Sequence, residues 1–297
     1  LYDENDNELS VNGTIKSADF RNFDFGLTII ANDFRAIHSK AADNDLFYGD
    51  LVLDTKLNIQ GTIDNPIVGG TIKIKEDTKF TIVLPQTDPS IADREGIVEF
   101  VNEDDLYLKQ TASMEKKLNQ SALIGMDVSV AISVDKEAEL TLVIDKGNGD
   151  YLKLKGEAEL TGGIDPSGKT TLTGKYEFSE GAYEMNFNMI RRKFDIQKGS
   201  NIVWNGEPTM ATLNIKAIYK VNAAPIDLLG NQLGNVSPTV KNTYKQKIPF
   251  QTILKMDGEL MKPEITFDII LPDGNYGVSS DIVSASQTKL EQLRQEP

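Results

Sequence analysis

Apolar and polar residues alternate from Met126 to Leu271 in almost every segment. Met126, Val128, Val130, Ile132 and Val134 fall on one side of a period-two repeat, with Asp127, Ser129, Ala131, Ser133 and Asp135 on the other. Leu140, Leu142 and Ile144 continue it after a short turn. Leu152, Leu154, Ala158 and Leu160 follow, set against Lys153, Lys155, Glu157 and Glu159. Only a pleated strand sends alternate side chains to opposite faces; a helix would need a spacing near 3.6. The chain is therefore predicted to be all-β, with one greasy face and one wet face. What covers the greasy face decides function.

Composition narrows the classes of partner. At 297 residues, 39% hydrophobic and 26% charged, the chain can build a substantial core and reads as folded. A net charge of -14 excludes a nucleic-acid binder, which needs clustered Lys and Arg to neutralise phosphates. It equally disfavours docking on an anionic membrane surface. The absence of cysteine removes disulfides, thiol nucleophiles and thiolate metal sites. No apolar run approaches the roughly 20 residues that span a bilayer, and no signal peptide is recognisable. The chain opens at Leu1 in a polar stretch and reads as a fragment of a longer protein, with targeting and any membrane anchor outside it.

Along the chain, residues 1–85 hold short alternating strands near Val11–Ile15, Phe25–Ile30, Leu51–Ile59 and Phe80–Leu84. Asp64-Asn65-Pro66 and Gly69-Gly70 separate them. In the third, Leu51, Leu53, Leu57, Ile59 and Ile63 share a face. The alternation lapses over 86–124, which reads as a polar insertion or mobile loop with one short strand near Ile97–Val101. Residues 125–272 form the main block of strands. Its turns are expected at Lys146–Gly149, Asp165–Gly168 and Arg191-Arg192, each joining antiparallel neighbours. Ala224–Gly230 fits a single helical turn, with Pro early and Gly closing it. The tail, 273–297, carries Ile282, Val283, Leu290 and Leu293 among polar residues and reads as a weak amphipathic helix.

Chemistry-bearing motifs are few. Gly163-Ile164-Asp165-Pro166-Ser167-Gly168-Lys169-Thr170 matches a phosphate-binding loop letter for letter. Such a loop must open a helix, whereas Thr171–Phe178 alternates as a strand, so a hairpin turn is the reading. His38 is the lone histidine and reads as a strand residue. Base catalysis and imidazole metal sites are thereby poorly supplied. The acidic clusters Asp3–Glu8, Asp43–Asp45 and Glu103–Asp105 lack calcium-loop spacing and read as solvated loops. Arg191-Arg192-Lys193 reads as a solvated turn. No catalytic residue, metal ligand or cofactor site stands out, and a non-enzymatic protein is expected.

Three passages carry a family resemblance. One is Leu57-Asn58-Ile59-Gln60-Gly61-Thr62-Ile63-Asp64-Asn65-Pro66 with Ile67-Val68-Gly69-Gly70-Thr71-Ile72-Lys73-Ile74. The second runs from Leu172–Tyr176 through Arg192–Gly199 and Trp204-Asn205-Gly206-Glu207-Pro208 to Leu213–Ala217. The third is Gly258-Glu259-Leu260-Met261-Lys262-Pro263-Glu264-Ile265-Thr266-Phe267-Asp268-Ile269. In this order they resemble the C-terminal domain of the TamB family of translocation and assembly modules, of Bacteroidetes type, relatives of AsmA-like and bridge-like lipid transfer proteins. The resemblance implies an elongated antiparallel β-gutter (a β-taco) of successive hairpins, here with a short C-terminal helix. It implies a periplasmic location bridging inner and outer membranes, anchored at the inner membrane outside this fragment. It also implies an outer-membrane β-barrel partner of the TamA/BamA type and a role in outer-membrane biogenesis, through phospholipid transport or outer-membrane protein assembly. The chain stops at Pro297, short of the end expected for the family.

If the sheet forms such a trough, its lipid-facing wall comprises Val128, Val130, Ile132, Leu140, Leu142, Ile144, Leu152, Leu154, Leu172, Phe178, Ile196, Ile202, Trp204, Leu213, Ile215, Phe250, Leu254, Ile265, Phe267 and Ile269. Phospholipid acyl chains lying there would gain roughly 0.8 kcal/mol per buried methylene. Periodicity alone favours a closed sandwich or barrel, because any antiparallel sheet with one covered face alternates in this way. The resemblance turns the preference toward the open groove. Two rival readings remain: a module that pairs its edge strands with a barrel partner and carries no lipid, and a closed carbohydrate-active or adhesin-like β-domain.

Overall fold

A computed structural model of the chain describes residues 1–83, 119–121, 123–187, 190–230, 233–234 and 236–295. It is mostly β. The strands are β1 (Leu9–Ser17), β2 (Phe23–Ser39), β3 (Phe47–Thr62), β4 (Pro66–Ile74), β5 (Lys79–Val83), β6 (Asp127–Val134), β7 (Glu139–Asp145), β8 (Asp150–Ile164), β9 (Thr170–Phe187), β10 (Ile190–Ile196), β11 (Asn201–Gly206), β12 (Thr212–Ala223), β13 (Ile248–Glu259) and β14 (Lys262–Ile270). Two helical turns, α1 (Pro225–Leu229) and α2 (Pro238–Thr243), lie between β12 and β13. The 16-residue α3 (Ser280–Gln295) ends the chain, as the tail pattern predicts.

All fourteen strands join one sheet, and hydrogen bonding closes a ring of six of them, β3-β4-β6-β8-β7-β5. Edge accounting explains the ring. A strand has two edges, and β2 occupies one edge of β3 from Gly49 to Thr62. β4 and β5 therefore share the other edge, β5 against Phe47–Asp50 and β4 against Leu53–Gly61. β9 likewise fills one edge of β8, leaving β6 and β7 to share its second edge. β4 and β5 are thus two parts of one interrupted row, as are β6 and β7. β10 and β11 repeat the arrangement between β9 and β12. The ring closes around the first two of these interruptions.

Each interruption is the same four-residue turn. In Lys75–Thr78, Asp135–Ala138 and Gln197–Ser200 the fourth residue's N–H donates to the first residue's carbonyl, at 3.0, 3.0 and 3.1 Å. Burial repeats as well: the first residue is half-buried, the middle two are exposed, and the small fourth residue (Thr78, Ala138 or Ser200) is buried. Two of the three hydroxyls bridge to a neighbouring strand. The Thr78 hydroxyl accepts from Val52 N–H and donates to its carbonyl, both at 3.1 Å. The Ser200 hydroxyl accepts from Lys216 N–H and donates to its carbonyl, at 3.0 and 3.3 Å. At the same level, β2 carries register shifts between Ala31 and Ile37, and β8 and β9 shift at Lys155/Gly156. A line of broken pairing therefore crosses the sheet from β2 to β11. Bulges and interruptions of this kind bend strands, so the line is a crease.

Three expectations need correction. The sheet is not purely a series of antiparallel hairpins, because β4 pairs β6 and β5 pairs β7 in parallel. Parallel neighbours need a crossover of a dozen or more residues, and the chain between Val83 and Asp127 is long enough for one. The short turn after Val134 is not a hairpin: β6 and β7 continue in one row. Arg191 and Arg192 are not in a turn but in β10, opposite Asn186 and Met185. Lys146–Gly149 and Asp165–Gly168 do join antiparallel neighbours as read. The strand expected near Ile97–Val101 and most of the 86–124 insertion lie outside the described residues. At the end of that stretch, Asn119 donates to the Thr209 hydroxyl at 2.7 Å and Ser121 N–H to the Gly168 carbonyl at 2.7 Å.

Candidate functional site: the apolar face

Residues paired across a ladder share a face, so the register traces the apolar side from strand to strand. One row runs Val11, Ile29, Leu57, Gly70, Val130, Gly162, Leu172 from β1 to β9. The next runs Leu9, Ala31, Thr55, Ile72, Ile132, Leu160, Gly174, Trp204 from β1 to β11. Across the crease, Phe47, Ile82, Leu142, Leu152, Tyr183 and Phe194 form a third. The face continues through Ile202–Leu213, Ala217–Leu254–Phe267 and Met256–Ile265 to β14. Gly174 shows how tightly neighbouring strands approach: its φ is +122°, and a Cβ there would lie 2.1 Å from the Glu159 carbonyl oxygen.

The middle of this face is packed by its own side chains. Leu154, Ala158, Tyr176, Phe178, Phe194, Ile196, Ala217 and Leu254 form one buried cluster. Leu140, Leu152, Ile202, Trp204 and Ile215 pack against it. Tyr176 meets Phe178 edge-on at 5.0 Å between ring centroids, and Phe194 lies 5.4 Å from Tyr219. Burial pushes the Tyr176 phenol up to about 12. A second cluster, Ile248, Phe250, Leu271 and Leu290, sits where α3 lies over the ends of β13 and β14. Gln287 and Arg294 hold that helix by donating to the Leu271 and Ile269 carbonyls.

The twenty residues proposed from the sequence therefore fall into distinct settings. Leu154, Phe178, Ile196 and Leu254 lie in the central cluster, and Phe250 lies beneath α3. Val130 and Leu213 are also buried. Val128, opposite Val68 and Ile164, with Ile132, Leu142 and Leu172, is half-buried on the same face. Ile144 lies at the exposed end of β7. Ile265, Phe267 and Ile269 face solvent on β14, with Phe267 66% exposed. Sequence reasoning took no wall residue from the first 85 positions. Yet Val11, Ile29, Leu57, Val68 and Ile72 belong to the same rows; their alternation was visible, but their parallel junction with β6 was not.

The opposite face is wet and ion-paired. Lys153 meets Glu139 at 2.8 Å, Lys155 meets Glu137 at 3.1 Å and Lys193 meets Asp195 at 3.2 Å. A depression of about 580 Å³ over β7–β10 is lined by Glu139, Lys153, Lys155, Lys193 and Asp195 together with Tyr151 and Glu184. At the crease, Lys75 reaches Asp33 at 3.0 Å and Asp54 at 3.1 Å, and both carboxylates raise its pKa.

The phosphate-loop lookalike is a turn. The Asp165 carboxylate accepts from Ser167 N–H, Ser167 Oγ and Lys169 N–H, and Lys169 Nζ pairs with Glu207 at 2.7 Å. His38 lies in β2 as expected, its Nδ1 2.6 Å from an Asp50 oxygen. Among the described residues, no group of three or more His, Asp or Glu could hold a metal ion. No helix among them is long and apolar enough to cross a membrane.

Comparison with curated proteins gives no match. Comparison with family models gives one: the TamB C-terminal domain, over residues 2–294. The match takes in every strand of the creased sheet and nearly all of α3. The chain thus belongs to the TamB C-terminal domain family, whose role lies in the translocation and assembly module and in outer-membrane biogenesis.

Proposed function

We propose that the creased apolar face is the inner wall of a periplasmic β-gutter that shields phospholipid acyl chains on their way between the membranes. The family is associated with the cell envelope and works with TamA-type partners. It is a structural and transport module rather than a known enzyme class. One observation carries the reading: a single face, apolar at nearly every position the ladders trace and interrupted by Thr55 in one row, runs from β1 to β14, and at both flanks it meets solvent. Val11 and Ile15 are exposed on β1, and Ile265, Phe267 and Ile269 on β14. Monomeric proteins rarely leave such rows uncovered unless something apolar visits them. Headgroups stay in water beside the wet rims, and each methylene drawn onto the wall contributes roughly 0.8 kcal/mol. Neighbouring rows offer nearly equivalent surface, so a chain can slide without a deep trap. A TamA/BamA-type barrel protein is the expected recipient at one end of the gutter, and a membrane anchor is expected outside this segment.

Trp204 is the one tryptophan and stands on this face. Phospholipid with a nitroxide on its acyl chain is expected to quench Trp204 fluorescence, whereas a headgroup-labelled analogue leaves it bright. Phe267→Asp places a charge on the exposed flank without touching the core, and should weaken acyl-chain quenching at least several-fold. Equal quenching by both labels, or none by either, would sink the reading.

A further inference from the structure

The central cluster poses a physical problem for this role, because Phe178 and Leu154 already fill the place an acyl chain would take. We propose that the crease is a hinge along which the two halves of the sheet part. This inference rests on the gutter reading for its purpose but not for its test.

Ladder hydrogen bonds resist bending, and along this line the regular ladder gives way to single backbone bonds, such as Lys75 N–H to the Val52 carbonyl at 2.9 Å and Gln197 N–H to the Lys216 carbonyl at 2.7 Å. Three rows each spend four residues in a turn at the same level, and β2, β8 and β9 shift register beside them. A polypeptide sheet yields where its ladder is interrupted. The turns also differ in one telling respect. Thr78 pins its turn to both backbone groups of Val52, and Ser200 does the same at Lys216. Ala138, at the equivalent place between them, has no hydroxyl with which to do so. The middle turn is tied by backbone bonds, Asp135 N–H to the Ile74 carbonyl and Glu139 N–H to the Thr78 carbonyl, both at 2.9 Å. The hinge therefore carries a hydroxyl pin at its first and third turns but not at its second, and the middle two residues of each turn are exposed. Gly156, beside the middle turn, has no room for a side chain: a Cβ would lie 2.2 Å from the Glu177 carbonyl oxygen. Beyond the crease, β12 and β13 pair without a shift over twelve residues, so the β12–β13 end moves as one piece and the opening is widest toward β6–β8.

The chain has no cysteine, so two introduced labels report alone. Spin labels at Thr171→Cys and Arg191→Cys sit on exposed positions of opposite halves. Labels at Gln60→Cys and Thr171→Cys sit on the same half. By double electron–electron resonance, the cross-crease distance distribution should already be broader than the same-half one. Thr78→Val with Ser200→Ala should broaden it further and shift its mean, while Ala138→Ser narrows it. The same-half distribution stays put throughout. Equal widths in the unaltered chain overturn the hinge without recourse to any variant. So does broadening of both distributions together, which reports general loosening. The gutter reading fails separately, through the Trp204 measurement.

Discussion

The middle of the sheet and its two flanks obey the same alternation and share the same face, yet their apolar residues meet opposite fates. Phe178, at the crease, is 1% exposed, while Phe267, on β14, is 66% exposed. Nothing in the local pattern separates them. The difference lies in what stands across the crease. Around β8–β12, side chains from both sides of the bend converge and exclude water from each other. β1 and β14 each have a neighbour on one side only, so fewer side chains converge on theirs. The C-terminal flank is only partly served by α3, which covers Ile248 and Phe250 but leaves Ile265 and Phe267 bare. In such a sheet, then, burial follows position in the row order rather than hydrophobicity.

The sharpest way to break this contrast is to truncate one aromatic from each region. Phe178→Ala removes a fully buried ring and should cost about 3–5 kcal/mol of unfolding free energy. Phe267→Ala should stay within about 0.5 kcal/mol. Urea unfolding followed by circular dichroism measures both. Comparable losses would mean that the β14 flank is packed in solution and that the two regions do not differ.

A smaller effect sharpens where the middle begins. Gly156→Ala forces a methyl group against the Glu177 carbonyl and the Tyr176 ring edge, 2.2 and 2.9 Å away. Overpacking of this kind costs about 1–3 kcal/mol. Gly26 has only the Thr14 side chain and carbonyl near its Cβ position, at 3.5 and 4.0 Å, and its substitution by alanine should be nearly silent. If the two variants unfold at the same urea concentration, close packing at the crease is not what fixes this part of the sheet.

The apolar face was legible in the sequence because side-chain period is a local property: Val128, Ile132, Leu142, Leu172 and Leu213 all land where alternation puts them. The C-terminal helix and the Asp165–Gly168 turn were legible for the same reason. Strand order was not. Asp135-Lys136-Glu137-Ala138 has the residues of a hairpin turn, and its local hydrogen bond is the one a hairpin would make. Whether the chain then reverses or runs on depends on which strand edges are free, and those belong to distant residues. The parallel junction of β4 with β6 was hidden likewise, since the two strands are far apart in sequence and each alternates identically alone. One signal was available: Lys75–Thr78, Asp135–Ala138 and Gln197–Ser200 all end in a small residue between two alternating runs. Exposure was beyond sequence, as Phe178 and Phe267 show.

The smallest expected effect concerns the N-terminal flank, where polar bonds replace packing. Leu1–Glu8 turns back on itself ahead of β1, with Tyr2 bridged to Glu8 and Leu9 N–H donating to the Leu1 carbonyl at 2.8 Å. Asp3 ties this segment to β2: its carboxylate accepts from Arg35 N–H at 2.8 Å, and from Asn5 and Asn7 N–H within its own loop. Partial burial pushes that carboxyl up, but the hydrogen bonds outweigh it and hold it down at about 2. A folded-state value below the usual 3.8 means that the tie is fully present above pH ~4 and is lost as pH falls through about 2. Because Asp3 lies at the surface, the loss should be local, freeing the segment while the central cluster stays intact. Amide NMR signals of Asn5, Asn7 and Arg35 should titrate together in that window while Leu154 and Phe194 hold still. Asp3→Asn should free the segment at neutral pH with little change in unfolding midpoint. Titration of the flank near the ordinary value of 3.8 would mean that the Asp3 tie is not made in solution, and melting of the flank in step with the cluster would mean that the two regions form one cooperative unit and differ in solvent contact alone.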